Sequence, residues 1–308
     1  MKKRIIVAAI MLPFFLCVLL ILPPIYLTVV LSVICAIAAY ELLNATKLGN
    51  NKKVLVFTII SSVLVPFAIY LSNMIPMVAN KPLETENPYP IDPMYTQSHL
   101  IFATLILSIL FIFLCILVIE VVLTVKNTKA IESGKQLKFR HNPIALAAGI
   151  LIPCMLSCLI NLKTMHYGYI FVMLPIVAAV ITDSGAYFTG VTLGKRKAFP
   201  TISPNKTVEG YIGGTLAGII GMLIYGVILH FTTPLTIVFP LLIIYGFLGA
   251  IMTELGDLTF SLVKRKCGIK DFGTLIPGHG GALDRFDSMT FAAPTMYLLV
   301  VLLPAIVL

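Results

Sequence analysis

Apolar runs long enough to cross a hydrocarbon layer about 30 Å thick recur along almost the whole chain, and they fix its solvent before any other property of the fold. In lipid, backbone amides and carbonyls have no water to bind, so each crossing must satisfy them internally as a helix. Nine crossings are read, at roughly residues 5–22, 25–43, 54–79, 100–125, 143–162, 169–190, 211–231, 235–255 and 288–308. The expectation is an all-α, polytopic integral membrane protein with about nine transmembrane helices. A mean hydropathy of +1.01 agrees, with 59% apolar residues and only 11% charged.

The net charge of +9 invites a nucleic-acid reading, but its placement argues for topology instead. With the amino terminus in the cytoplasm, all of the 22 Lys and Arg residues except Lys81 and Lys163 fall on the inside. That asymmetry is the positive-inside pattern, and it puts the carboxyl terminus outside. No nucleic acid is expected as a partner; anionic lipid headgroups and nucleotides, both present on the basic side, are. Lys2-Lys3-Arg4 before an apolar run resembles a secretory signal, but no small-residue cleavage site precedes Pro23-Pro24, so the segment reads as an uncleaved first helix. With no targeting extension ahead of it, the expected location is a bacterial inner membrane. Five of the six cysteines sit in apolar spans, and Cys154 and Cys158, one turn apart, read as small buried hydrophobes.

The chain divides by character. Residues 1–168 hold the first five crossings and read as scaffold, with Glu41 and Glu120 expected to be solvated at a cytoplasmic edge. From residue 169 to 308 polar clusters interrupt the last four crossings, each on the cytoplasmic side: 182–197, 203–214 and 254–287. Three loops converging on one face describe a composite site. Asp257 ends one crossing and Asp284 begins the next, so two helices can bring carboxylates together, as Mg²⁺ requires when it shares its shell with substrate phosphates. Asp183, Asp271 and Asp287 can complete or orient such a centre. Lys264, Arg265, Lys270 and Arg285 supply cations for phosphate oxygens. Together they describe a receiver for a metal-polyphosphate.

Ser203-Pro204 is read as the entry to a helix whose first turn carries Lys206, Thr207 and Glu209, an arrangement whose free amides favour an anion. It is no Walker loop, and an ordinary capped membrane helix is an equal reading. Gly278, Gly280 and Gly281 around His279 allow close backbone approach to a ligand, with His279 a candidate for contact or proton transfer. Glycines 213, 214, 218 and 221 permit tight packing within the chain, or a homodimer.

These residues resemble the phosphatidate cytidylyltransferase (CDP-diacylglycerol synthase) family. Ser261, Lys264-Arg265, Lys270-Asp271, Gly273, Ile276-Pro277, His279-Gly280-Gly281, Asp284-Arg285 and Asp287 stand in the spacing of that family's last cytoplasmic loop. Ala282 departs from it, since the family usually carries a larger aliphatic residue there. The S-P-x-K-T-x-E-G segment from Ser203 and the D-x-G-A-Y-F-x-G segment from Asp183 are also similar, so the resemblance covers residue 180 onward. It implies that CTP and phosphatidic acid give CDP-diacylglycerol and pyrophosphate. It further implies that Asp257 and Asp284 hold a divalent ion, with a monovalent cation such as K⁺ beside it. Ser203, Lys206 and the Lys264–Asp271 group would line the nucleotide and phosphate pocket. Two other readings stand beside this one: a CTP-dependent polyprenol kinase, and a transporter of a phosphorylated solute, whose site would be expected at the bilayer midplane.

Overall fold

The computed structural model describes residues 9, 13–79, 99, 101–110, 141–275 and 280–307. Within them the chain is helical apart from its connecting loops, one small antiparallel hairpin and one short antiparallel strand pair distant in sequence. After a short helix over residues 13–20 come α1 (Pro24–Ala45) and α2 (Lys52–Ala79). Then follow α3 (Ile101–Leu110) and the interrupted span α4 (Ile144–Thr164). The second half is built from α5 (Met173–Leu193), α6 (Val208–Thr232), α7 (Phe239–Cys267) and α8 (Leu283–Leu302). Strand β1 (Lys197–Phe199) pairs with β2 (Ser203–Thr207), and β3 (Thr236–Ile237) with β4 (Ile306–Val307).

Six helical segments among the described residues are long and apolar enough to cross a membrane: α1, α2 through Met74, α4, Gly168–Leu193 (which includes α5), α6 and α7. They coincide with six of the expected crossings. The crossing expected at 5–22 is described only in part, as is the one at 100–125; Glu120 lies outside the described residues.

α8 forms the centre. Nearly every residue from Leu283 to Leu299 is buried, and the helix packs on α7, α5, α4 and α1, so the two halves of the chain share one core. Its carboxylates and its burial go together: a helix surrounded by protein can carry Asp284 and Asp287 where a lipid-facing one could not.

Two local expectations are corrected. The crossing expected to end near residue 255 continues to Cys267 as a single helix. Glu254 and Asp257 do not break it, because a helix bonds its own backbone whatever its side chains, and Leu255, Leu258 and Leu262 continue an apolar stripe that packs on Phe199 and Ile202. It stops at Gly268, whose left-handed φ of 70° lets the amides of Gly268 and Ile269 bond to the carbonyls of Arg265 and Lys264. The segment from Ser203 does not enter a helix: Ser203–Thr207 is strand β2, with Phe199 opposite Ser203 and Lys197 opposite Thr207. Pro204 is tolerated because a two-stranded hairpin leaves unpaired edge positions. The helix starts at Val208, with Thr207 as its cap, the hydroxyl accepting from the Gly210 amide at 3.1 Å.

The glycines of α6 serve packing inside the chain. A Cβ at Gly214 would meet Ala186 of α5 and Glu254 of α7, and one at Gly218 would meet Thr182 and Ala250. α5, α6 and α7 can therefore approach as a tight three-helix sheaf.

Candidate active site

The sheaf opens into a cavity of about 590 Å³ lined by Asp183 and Tyr187 of α5, Lys197, Asn205 and Lys206 of the hairpin, Tyr211 of α6, and Glu254 and Asp257 of α7. A larger cavity of about 780 Å³ lies between α2 and α4, but among the described residues its only charged lining side chains are Lys47 and Lys53, which form no acid–base pair.

Lys206 is the pivot of the first cavity. Its ammonium forms an ion pair with Asp257 and lies 5.3 Å from the centre of the Tyr211 ring. Burial works against its charge, but Asp257, with Tyr211 and Asp183 behind it, outweighs that and holds its pKa above the ordinary lysine value. Asp257 also accepts from the Ser261 hydroxyl at 3.2 Å. Across the cavity Asp183 accepts from Ser288 of α8 at 3.2 Å. Asp183, Asp257 and Asp287 lie close enough to act on one another electrostatically, so three helices bring negative charge to the same region. One oxygen of Glu254, Oε1, is buried there with no hydrogen-bond partner among the described residues.

Beside this centre is a second one. Lys264 donates to Asp284 Oδ1 at 2.9 Å, with both residues under a tenth exposed. Asp284 Oδ2 accepts from the amides of Phe272 and Gly281 at 2.8 and 3.0 Å. Asp257 and Asp284 thus each have a lysine of their own.

The structure uses the other expected site residues in different ways. Asp183, Lys206, Thr207 and Asp257 line the cavity together. Asp287, buried, bonds the Ser288 amide at 2.8 Å. Arg265 braces the hairpin rather than the cavity, donating to the Ile202 carbonyl at 3.1 Å and the Ile269 carbonyl at 3.4 Å. Glu209 holds the turn after α5, its Oε2 accepting from the amides of Lys195 and Arg196. Ser203 is half-buried in β2, while Lys270, Asp271 and Arg285 are exposed outside the cavity. His279 lies outside the described residues.

Lys197, Asn205, Tyr211 and Glu254 are polar cavity residues that were not named as site candidates from sequence. Glu254 carried a usable signal, since residues three apart on a helix share a face and Asp257 is three residues on. Glu41 was misjudged. It is buried, 5% exposed, and accepts the amides of Ala282 and Leu283 at 3.0 and 2.9 Å, because the start of α8 offers unpaired donors that water cannot reach.

Against known proteins, a Bacillus subtilis protein named phosphatidate cytidylyltransferase is 44% identical over 137 residues, 44% of this chain and 49% of that protein. Its namesake from Staphylococcus saprophyticus is 40% identical over 139 residues, 45% of this chain and 52% of that protein. One from Staphylococcus aureus is 39% identical over the same length. The matched stretch spans about half the length of these relatives. Much broader is the match to the family described as the Cytidylyltransferase family, which extends over residues 2–303 and so takes in α1 with its Glu41 as well as the paired lysines and aspartates of α7, α8 and the hairpin: this chain is a member of the cytidylyltransferase family.

Proposed function

We propose that this chain transfers the cytidylyl group of CTP to phosphatidic acid, giving CDP-diacylglycerol and pyrophosphate. The observation that carries the reading is a cavity with two chemistries at its edge. Lys206, Lys197, Asp183 and Asp257 form a charged receiver, and the adjoining face of α5 leaves Tyr187, Phe188 and Val191 each about two-thirds exposed. In a bilayer such a face meets acyl chains, so a phosphate still attached to its lipid can reach the charged end. Family membership and the names of the relatives support the same substrates.

In the step itself a phosphate oxygen of phosphatidic acid attacks the α-phosphorus of CTP. A new P–O bond forms, the bond to the β-phosphate oxygen breaks, and pyrophosphate leaves with that electron pair. No general base is needed, since the lipid phosphate is already an anion at neutral pH. The protein's work is positioning and charge neutralisation. Lys206, kept protonated by Asp257, offsets the charge that grows on the departing pyrophosphate, and Lys197 at the rim adds a second cation.

The donors fit a hard divalent ion such as Mg²⁺. Glu254 Oε1 is a buried carboxylate oxygen without a partner among the described residues, a costly arrangement that a cation would relieve, and Asp183 and Asp257 line the same cavity. Among the described residues no three such side chains are gathered into a ready metal shell, so one or two of these carboxylates would hold the ion, with substrate phosphates completing its ligands. Asp284, the other aspartate proposed from sequence, is bonded to Lys264 outside the cavity lining and would have to release that lysine to join them. When bound, the ion supplies charge neutralisation along the triphosphate.

On this reading the cavity faces the cytoplasm of a bacterial cell from its inner membrane, with nine crossings, the amino terminus inside and the carboxyl terminus outside, as the distribution of Lys and Arg supports. The test is purified protein in mixed micelles with CTP, Mg²⁺ and phosphatidic acid. Equal amounts of pyrophosphate and CDP-lipid are expected. No product from phosphatidic acid, but release of CDP with a polyprenol, would move the assignment to a lipid kinase.

A further inference from the structure

We infer that Glu41, from the first half of the chain, is the positioning residue that sets the helix start carrying Asp284, Arg285 and Asp287. Its two carboxylate oxygens accept from consecutive amides, Ala282 to Oε1 at 3.0 Å and Leu283 to Oε2 at 2.9 Å. These are donors at the amino end of α8 with no intrahelical partner, where the helix dipole also favours an anion. The preceding amide, Gly281, is taken by Asp284 Oδ2, so three successive amides are each bound to a carboxylate.

Two glycines of the motif follow from this contact. A Cβ on Gly281 would lie 2.5 Å from both Glu41 oxygens, and a Cβ on Gly273 would collide with the same carboxylate. Neither position is in the left-handed region; each needs to be small because Glu41 occupies the space a side chain would take. Gly280 differs, with a φ of 87°. Spacing alone suggested that the paired glycines at 280 and 281 make room for a ligand, whereas at Gly281 the occupant is a side chain of α1.

Glu41 does not line the cavity. It acts through the backbone: by fixing residues 281–283 it sets where α8 begins, and with it the direction of Asp284 toward Lys264 and the placing of Asp287 three residues on. The inference rests on the proposed reaction for its kinetic readout and stands apart from it for its structural one.

The experiment compares wild type, Glu41→Gln and Glu41→Ala in detergent by hydrogen exchange and by turnover. Glutamine keeps the reach but offers one acceptor where two are needed. Expected is an exchange rate over residues 281–283 raised about tenfold in Glu41→Ala and less in Glu41→Gln, with peptides of α6 unchanged. In turnover, kcat falls about tenfold in Glu41→Ala and by less in Glu41→Gln, while the KM for CTP stays within about twofold of wild type. Gly281→Ala should reproduce the loss, and combining it with Glu41→Ala should add little, because both break one contact. If Glu41→Ala does not fold, Glu41→Gln and Gly281→Ala carry the comparison. Unchanged protection of 281–283 would overturn the inference, as would a raised KM at constant kcat. A wild-type protein that makes no CDP-lipid would remove the reaction, and the exchange result would still decide the role of Glu41.

Discussion

Replacing Asp284 with asparagine should unfold the protein at a distinctly lower temperature, quite apart from any effect on turnover. Both carboxylate oxygens are in use, Oδ1 on the Lys264 ammonium and Oδ2 on two backbone amides, and Lys264 and Asp284 are only 9% and 8% exposed. Asparagine has one acceptor. If that oxygen stays with the amides, its NH₂ group faces the lysine, donor against donor, and leaves a buried cation unpaired. Breaking a buried pair in this way costs about 3–5 kcal/mol. At roughly 2 °C per kcal/mol for a chain of this size, the melting temperature should fall by about 6–10 °C. The assay follows a thiol-reactive dye during heating, because Cys35, Cys154 and Cys158 are buried and become reactive only on unfolding. Adding Lys264→Met should recover part of the loss, since it removes the buried cation that Asp284→Asn leaves unpaired. A melting temperature for Asp284→Asn within 1 °C of wild type, or no recovery in the double variant, would show that the pair is solvated and that the argument from burial fails.

Lys206→Met should lower kcat and raise the KM for CTP. Its stability cost has a defined pH window: the folded pKa of Lys206 is raised, so the pair's contribution is fully present below the unfolded lysine value near 10.4 and is lost as pH rises through the folded value. Melting curves should therefore show a constant gap between wild type and variant from pH 6 to 9, and a gap that closes within this range would count against the ion pair. Gly214→Ala should destabilise by about 1–3 kcal/mol, because the added carbon would stand 2.6 Å from Glu254 Oε1 and 2.9 Å from the Ala186 methyl carbon. Normal thermal stability there would mean that α5, α6 and α7 are less tightly packed than described. EDTA should abolish turnover and excess Mg²⁺ restore it, and Mg²⁺ should raise the melting temperature of wild type more than that of Asp257→Asn; equal shifts would remove Asp257 from the metal site.

Much of this was legible because lipid leaves few options. Pro24–Ala45 or Val208–Thr232 can be read as a helix from apolar length alone, since nothing else satisfies a backbone in hydrocarbon. The convergence of Asp183, Lys206 and Asp257 was legible too, because each stands in a polar cluster that interrupts or borders an apolar block on the same expected side. The features that escaped depend on contacts distant in sequence. Nothing near residue 41 indicates that its carboxylate caps a helix beginning at Leu283, and an acidic residue close to a span's edge is by composition a solvated one. At Ser203-Pro204 two local rules compete, proline as the first residue of a helix and proline at a strand edge, and pairing with Lys197–Phe199 decides for the strand. The charges of Glu254 and Asp257 concealed the continuation of α7 because hydropathy measures transfer to lipid, while the far end of that helix is covered by the hairpin and α8.

Label transfer decides which phosphorus of CTP is attacked. Purified protein is given phosphatidic acid, Mg²⁺ and CTP labelled with ³²P at either the α- or the γ-position, and the organic and aqueous phases are counted. The account requires the α-label to enter the lipid and the γ-label to appear in pyrophosphate. Lipid carrying the γ-label, with the α-label remaining in CDP, would contradict it.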